Sequence, residues 1–143
     1  YYETTIEANE MVTSIYLPRF DERTSAAYAK FLPRSAEDYA TVAVAVRLTM
    51  SDADPGQCAE ARIVLGSLGP TALRAREAEA CLEGIEVRDE TFRDAATSAA
   101  RIADPIDDTR GSARYKRAMA EVFVRRTLET AARSLGLDLH PSV

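Results

Sequence analysis

The sequence is poor in the residues that usually announce chemistry. Its 143 residues include one histidine, His140, and two cysteines, Cys58 and Cys81. Their spacing fits no zinc-binding pattern. Two thiols in a reduced, cytoplasmic protein are the expectation, with a disulfide left open. No apolar run reaches the roughly 18 residues that a membrane-spanning helix needs. No secretory leader is recognisable. The chain opens YYETT, without Met, inside what reads as a strand, so a piece of a longer polypeptide is expected. A phosphate loop is missing too: Gly66-Ser67-Leu68-Gly69 is too short, and Pro70 follows it rather than a Gly-Lys-Ser/Thr step. Serine, histidine and cysteine form no nucleophile pattern. The net charge of −5 argues against nucleic acid as the main partner.

What the chain does have is an ordinary globular balance, 46% hydrophobic and 29% charged, and the length of one domain with a real core. Its charge is unevenly placed. From Arg110 to Arg133, seven basic residues face only Glu121 and Glu129, a local +5, so the other residues carry −10. Such a segment pairs internally, is solvated, or meets an acidic neighbour. The carboxylates Asp104, Asp107 and Asp108 admit a metal, but helix capping and solvation account for them better.

The clearest strand is Val42 to Met50, in which Val42, Val44, Val46, Leu48 and Met50 alternate with smaller or polar residues. SDADPGQ is a turn, and CAEARIVLGSL returns as the second arm of an antiparallel hairpin. AYAKFLP, residues 27 to 33, adds a third strand, with Tyr28, Lys30 and Leu32 on one face and Ala29 and Phe31 on the other. Ahead of it, YYETTI and MVTSIYLP read as an N-terminal hairpin closed by Pro18. Three helices should follow the sheet. One runs from a Thr71 cap to Gly84 and one from 89 to 103, capped by Asp89. The last runs from Ser112 to about Leu135 and is stopped by Gly136. It carries two apolar stripes, Tyr115-Ala118-Met119-Val122 and Phe123-Val124-Leu128-Ala131-Leu135, which suits a central helix or one docked on another subunit. The predicted fold is α+β: a three-stranded antiparallel sheet packed against about three helices. An N-terminal hairpin remnant (1–26) precedes the domain proper (27–143).

The order of motifs resembles a known family. TTIEANEMVTSIYLP is followed by YAKFLPRSAEDYATVAVAV, with its Lys-x-x-x-Arg-x-x-x-Asp-apolar-Ala-x-Val pattern. ARIVLGSLGPTALRAREAEACLEG and DPIDDTRGSARYKRAMAEVFVRRTL come next. Across nearly the whole chain this is similar to the C-terminal domain of the FAD-binding (medium) subunit of molybdenum hydroxylases. Aerobic carbon monoxide dehydrogenase and xanthine dehydrogenase belong to that group. Two positions depart from the family pattern: Ala72 stands where Pro is usual, and Lys116 where Arg is usual. Lys replaces a solvated Arg but not a bidentate one.

The resemblance implies an oxidoreductase component with FAD in the intact subunit and no activity in the isolated chain. Electrons would pass from [2Fe-2S] clusters to FAD and on to an acceptor. The partners would be a large molybdenum-cofactor subunit and a small [2Fe-2S] subunit, with self-association of the isolated domain left open. It places the turn Glu37-Asp38-Tyr39 near the flavin ring, with Lys30 one strand away. Tyr39, Asp38 and Lys30 are therefore the cofactor-binding candidates; no catalytic and no metal residue is implied. A tyrosine at a strand edge can offer a flat apolar face while its hydroxyl stays wet. The competing readings are a half-buried strand-start aromatic for Tyr39, a turn cap for Asp38 and an ion pair with Asp38 or Glu37 for Lys30. A second reading of the whole chain is a binding or assembly module without cofactor contact.

Overall fold

A computed structural model describes residues 3–32 and 39–137. Three long strands form its centre: β1 (Thr24–Phe31), β2 (Val42–Met50) and β3 (Cys58–Gly66). A two-residue strand, β4 (Leu73–Arg74), extends the sheet, which runs β1-β2-β3-β4 with every pair antiparallel. Alternation sets the faces. Val42, Val44, Val46 and Leu48 of β2 are buried beside Ala61, Ile63 and Leu65 of β3. Tyr28, Lys30, Ala45 and Arg47 lie on the opposite face, in register with Val64 and Arg62.

All three helices cover the buried face. α1 (Arg76–Ala80) contacts β3, α2 (Asp89–Arg101) lies against α1 and α3, and α3 (Ala113–Ser134) crosses β2 and β1. Phe92, Leu82, Val124 and Leu128 fill the interface. Each such side chain contributes about 1.5–3 kcal/mol on burial. The Ser25 hydroxyl, itself buried, donates to the Ala131 carbonyl at 2.6 Å and fastens the edge strand to α3.

The helix starts follow local chemistry. Ser112 caps α3 as its sequence predicts, accepting from Tyr115 N–H at 3.2 Å. α2 is capped at Arg88, whose N–H is taken by the Thr91 hydroxyl at 3.0 Å. Asp89, expected as the cap, is instead the first helical residue, and its carboxylate meets Arg93 and Arg125.

Besides the Asp89 cap, two larger expectations are corrected. The helix predicted from Thr71 to Gly84 shrinks to α1, because Leu73 and Arg74 join the sheet beside Leu65 and Val64. Glu79 enforces this choice. Its carboxylate, 3% exposed, takes two hydrogen bonds from Arg74 Nε, at 3.0 and 3.1 Å, and the Ile63 N–H at 3.0 Å. A continuous helix would break these bonds. Gly84 does stand at positive φ, 78°, closing the turn after α1. The N-terminal hairpin is the second correction: residues 3–23 contain no strand. β1 is already paired with β2 on one side, and nothing described pairs with the arm. Met11, Val12, Ile15, Tyr16 and Leu17 consequently stand 61–87% exposed.

Candidate functional site

The N-terminal end of β2 carries the most exposed tyrosine of the folded domain. The Thr41 N–H donates to the Phe31 carbonyl at 3.0 Å, closing the β1–β2 connection. Tyr39, just before that closure, is 81% exposed. Two other segments meet it there. One is the turn Gly66-Ser67-Leu68-Gly69-Pro70 leaving β3; the other is the α2–α3 loop, residues 104–110. Together they enclose an open cavity of about 750 Å³, with Tyr39, Ser67, Pro70, Ile106, Arg110 and Lys116 in its wall.

The loop is laced to α3. Lys116, 3% exposed, donates to the Ile106 carbonyl at 2.9 Å and to Asp108 at 2.7 Å. Arg117 donates to the Ala103 carbonyl at 2.9 Å and reaches Asp104 at 3.5 Å. Asp107 accepts the Ala113 N–H at the start of α3. The hydrogen bond from Lys116, together with the Arg110 backbone N–H at 2.8 Å, holds the Asp108 carboxyl below the usual carboxylate range. Asp107 thus plays the helix-capping part that the sequence suggests, Asp108 is held by Lys116 and the Arg110 N–H, and Asp104 stays largely exposed.

Arg110 completes the geometry. Its guanidinium lies 5.6 Å from the Tyr39 ring centroid, a cation–π contact between residues 71 positions apart. One ring face is thereby backed by a cation, while the high exposure leaves ring surface available. The guanidinium also lies 3.9 Å from Asp108. An aromatic face, a cation and the apolar surfaces of Pro70, Pro105 and Ile106 suit a planar, polar-edged heterocycle.

Of the three residues expected at a cofactor, Tyr39 lines this cavity. Lys30 does not: it lies on the open sheet face, in a row with Ala43 and Gly66 across three strands. A Cβ on Gly66 would stand 3.2 Å from the Ala43 Cβ, so the row has a low floor beside Lys30. No ion pair of Lys30 is formed among the described residues. Asp38, with Glu37, lies outside them, as does His140. Sequence reasoning missed the pairing of Tyr39 with Arg110. It read Arg110 as one cation of a charged segment, and nothing local links the two.

That basic segment pairs largely within the domain. Arg125 meets Asp89 and Glu129, Arg133 meets Glu129, and Arg126 lies over Phe123. Of the two α3 stripes, the one containing Val124, Leu128 and Ala131 is buried. The other leaves Tyr115 41% exposed and Ala118 exposed. Cys58 is buried and its thiol is pushed up to about 11 by desolvation; Cys81 is half-buried, and both are free.

A helix-backed antiparallel α+β sheet with a ligand-sized cavity at one end is the class this architecture defines. The sequence model described as "CO dehydrogenase flavoprotein C-terminal domain" matches residues 26–131. The chain belongs to that family, the C-terminal domain of the FAD-binding subunit of molybdenum hydroxylases. It is 38% identical over 130 residues to the carbon monoxide dehydrogenase medium chain of Hydrogenophaga pseudoflava, covering 91% of this chain and 44% of that one. With the nicotine 6-hydroxylase medium subunit of Paenarthrobacter nicotinovorans the identity is 31% over 134 residues, 93% of this chain and 45% of the relative. Among solved structures, reconstituted CO dehydrogenase from Oligotropha carboxidovorans superposes with a TM-score of 0.82 at 39% identity, over 93% of this chain and 45% of that one. The chain therefore spans less than half the length of the relatives it matches. Among the described residues no helix is long and apolar enough to cross a membrane.

Proposed function

We propose that this domain forms one wall of an FAD site in a molybdenum-hydroxylase-type oxidoreductase. Tyr39 lies against the flavin ring with Asp38 beside it, and Lys30 approaches from the open sheet face, outside the cavity wall. The observation that carries this reading is Tyr39 itself, 81% exposed beside a cavity of about 750 Å³ and backed by the Arg110 guanidinium. A fixed cation near the ring would tune the flavin's potential. Bound FAD would supply the one- and two-electron chemistry. In the complex, electrons would come from [2Fe-2S] clusters and leave to an acceptor, with the molybdenum and iron–sulfur subunits as partners in the cytoplasm. The exposed arm at residues 3–23 fits a division in which residues 1–26 belong with the preceding flavin-binding region. Its apolar side chains would then be covered by that region. Because most of the flavin's contacts lie elsewhere, the isolated chain binds FAD weakly or not at all. Flavin retained through gel filtration would contradict this.

The test is Tyr39→Ala in the full subunit. It should alter flavin absorbance or reoxidation while the thermal midpoint stays near that of the parent. An unchanged flavin spectrum with unchanged turnover would defeat the reading. One observation favours the alternative, an assembly module without cofactor contact: the open sheet face presents Tyr28, 65% exposed, over a shallow hollow of about 360 Å³ lined by Ala26, Ala45 and Val64. Under that alternative, Tyr28→Ala impairs complex assembly and Tyr39→Ala leaves the flavin untouched.

A further inference from the structure

Ser67 is the single non-glycine among the described residues with a left-handed backbone, at φ 62°. The other positions of that kind are Gly84, Gly111 and Gly136. An L-residue there crowds its Cβ against the backbone, and glycine does not. The turn does not need the Ser67 side chain to keep its shape. Leu68 is fully buried, its carbonyl accepts the Asp104 N–H at 2.8 Å, and Gly66 is held against Ala43. Ser67 is exposed in the cavity wall that also holds Tyr39, Pro70 and Arg110. Its hydroxyl bonds to none of the described residues, unlike those of Ser25, Ser51 and Ser112. A disfavoured residue that gives nothing to the fold, placed in a ligand-sized cavity, is strain kept for a contact.

We propose that Ser67 is a ligand-contacting residue, whose hydroxyl hydrogen-bonds the polar edge of the planar heterocycle that Tyr39 covers. This rests on the flavin reading above. A hydroxyl both donates and accepts, so it serves a ring carbonyl or a ring N–H. Carried on a short side chain from a pinned turn, it reaches the ligand with little rotamer freedom to lose.

Two substitutions in the flavin-loaded parent subunit separate strain from contact. Ser67→Gly removes both strain and hydroxyl; Ser67→Ala keeps the strain and removes the hydroxyl. In the flavin-free subunit, Ser67→Gly should hold or raise the thermal midpoint, and Ser67→Ala should not raise it. Both should weaken flavin retention several-fold and shift its absorption band alike. If both variants keep the parental flavin affinity and spectrum, the proposal is overturned. It is also overturned if Ser67→Gly lowers the midpoint of the flavin-free subunit, since the hydroxyl would then be structural. Tyr39→Ala run in parallel distinguishes the two failures. A flavin response at Tyr39 with none at Ser67 removes only this proposal; silence at both removes the flavin reading as well.

Discussion

The two faces of the sheet are made by the same strands and behave as different materials. On the covered face, Val42, Val44, Val46 and Leu48 pack against Ala61, Ile63 and Leu65 with almost no exposure. On the other, Tyr28, Ala45 and Val64 leave an apolar strip beside a ladder of ions, with Arg47 on Glu60 at 2.6 Å and Arg62 on Glu60 and Glu83. Side chains of adjacent strand positions point to opposite faces, so one residue of sequence separates a folding role from a contact role. The covered face stabilises the domain, and the open face, among the described residues, keeps part of its surface exposed.

The largest expected effect is on the covered face. Leu48→Ala deletes a fully buried side chain and should cost about 2–5 kcal/mol, read from denaturant unfolding. A loss under about 1 kcal/mol would mean that the faces differ less than their burial implies. Glu79→Gln tests the clamp between β3, β4 and α1. Removing its charge weakens the Arg74 hydrogen bonds and the Ile63 contact, and since Arg74 is part-exposed the expected loss is about 1–3 kcal/mol.

The pH dependence of that clamp has a definite sign. Burial pushes the Glu79 carboxyl up, but the hydrogen bonds from Arg74 and Ile63 and the charges of Arg74 and Arg62 outweigh it and leave it lowered. Its stabilisation is therefore full above the unfolded-state glutamate value and is lost as pH falls through the lower folded-state value. Urea midpoints measured downward from about pH 5 should converge for parent and Glu79→Gln. Parallel curves would refute the clamp. The smallest effect belongs to the open face: Tyr28→Ala should change stability by less than about 1 kcal/mol, and a larger loss would show that this face also holds the fold together.

Legibility from sequence followed the range of the interactions. The β2–β3 hairpin and the Ser112 cap depend on alternation, turn residues and a hydroxyl three positions from its N–H, all local. The helix predicted from Thr71 failed because Leu73 and Arg74 pair with β3 and Arg74 answers a buried Glu79, contacts that periodicity does not encode. The N-terminal hairpin failed because strand-like composition in MVTSIYLP does not by itself secure a partner: among the described residues it pairs with neither outer strand of the sheet, β1 or β4. At the site, Tyr39 is reached through the family resemblance, which singles out the charged, aromatic step before β2. Arg110, Lys116 and Ser67 are not, since they reach the cavity through a loop laced to α3 and a single left-handed turn.

The backbone bond from Thr41 to Phe31 has one more consequence. It draws a seam across the base of the β1–β2 connection, so the register of the strands below is settled without reference to what lies above. Tyr39 stands just outside that seam, so replacing it changes the wall of the cavity without unsettling the strands that carry it.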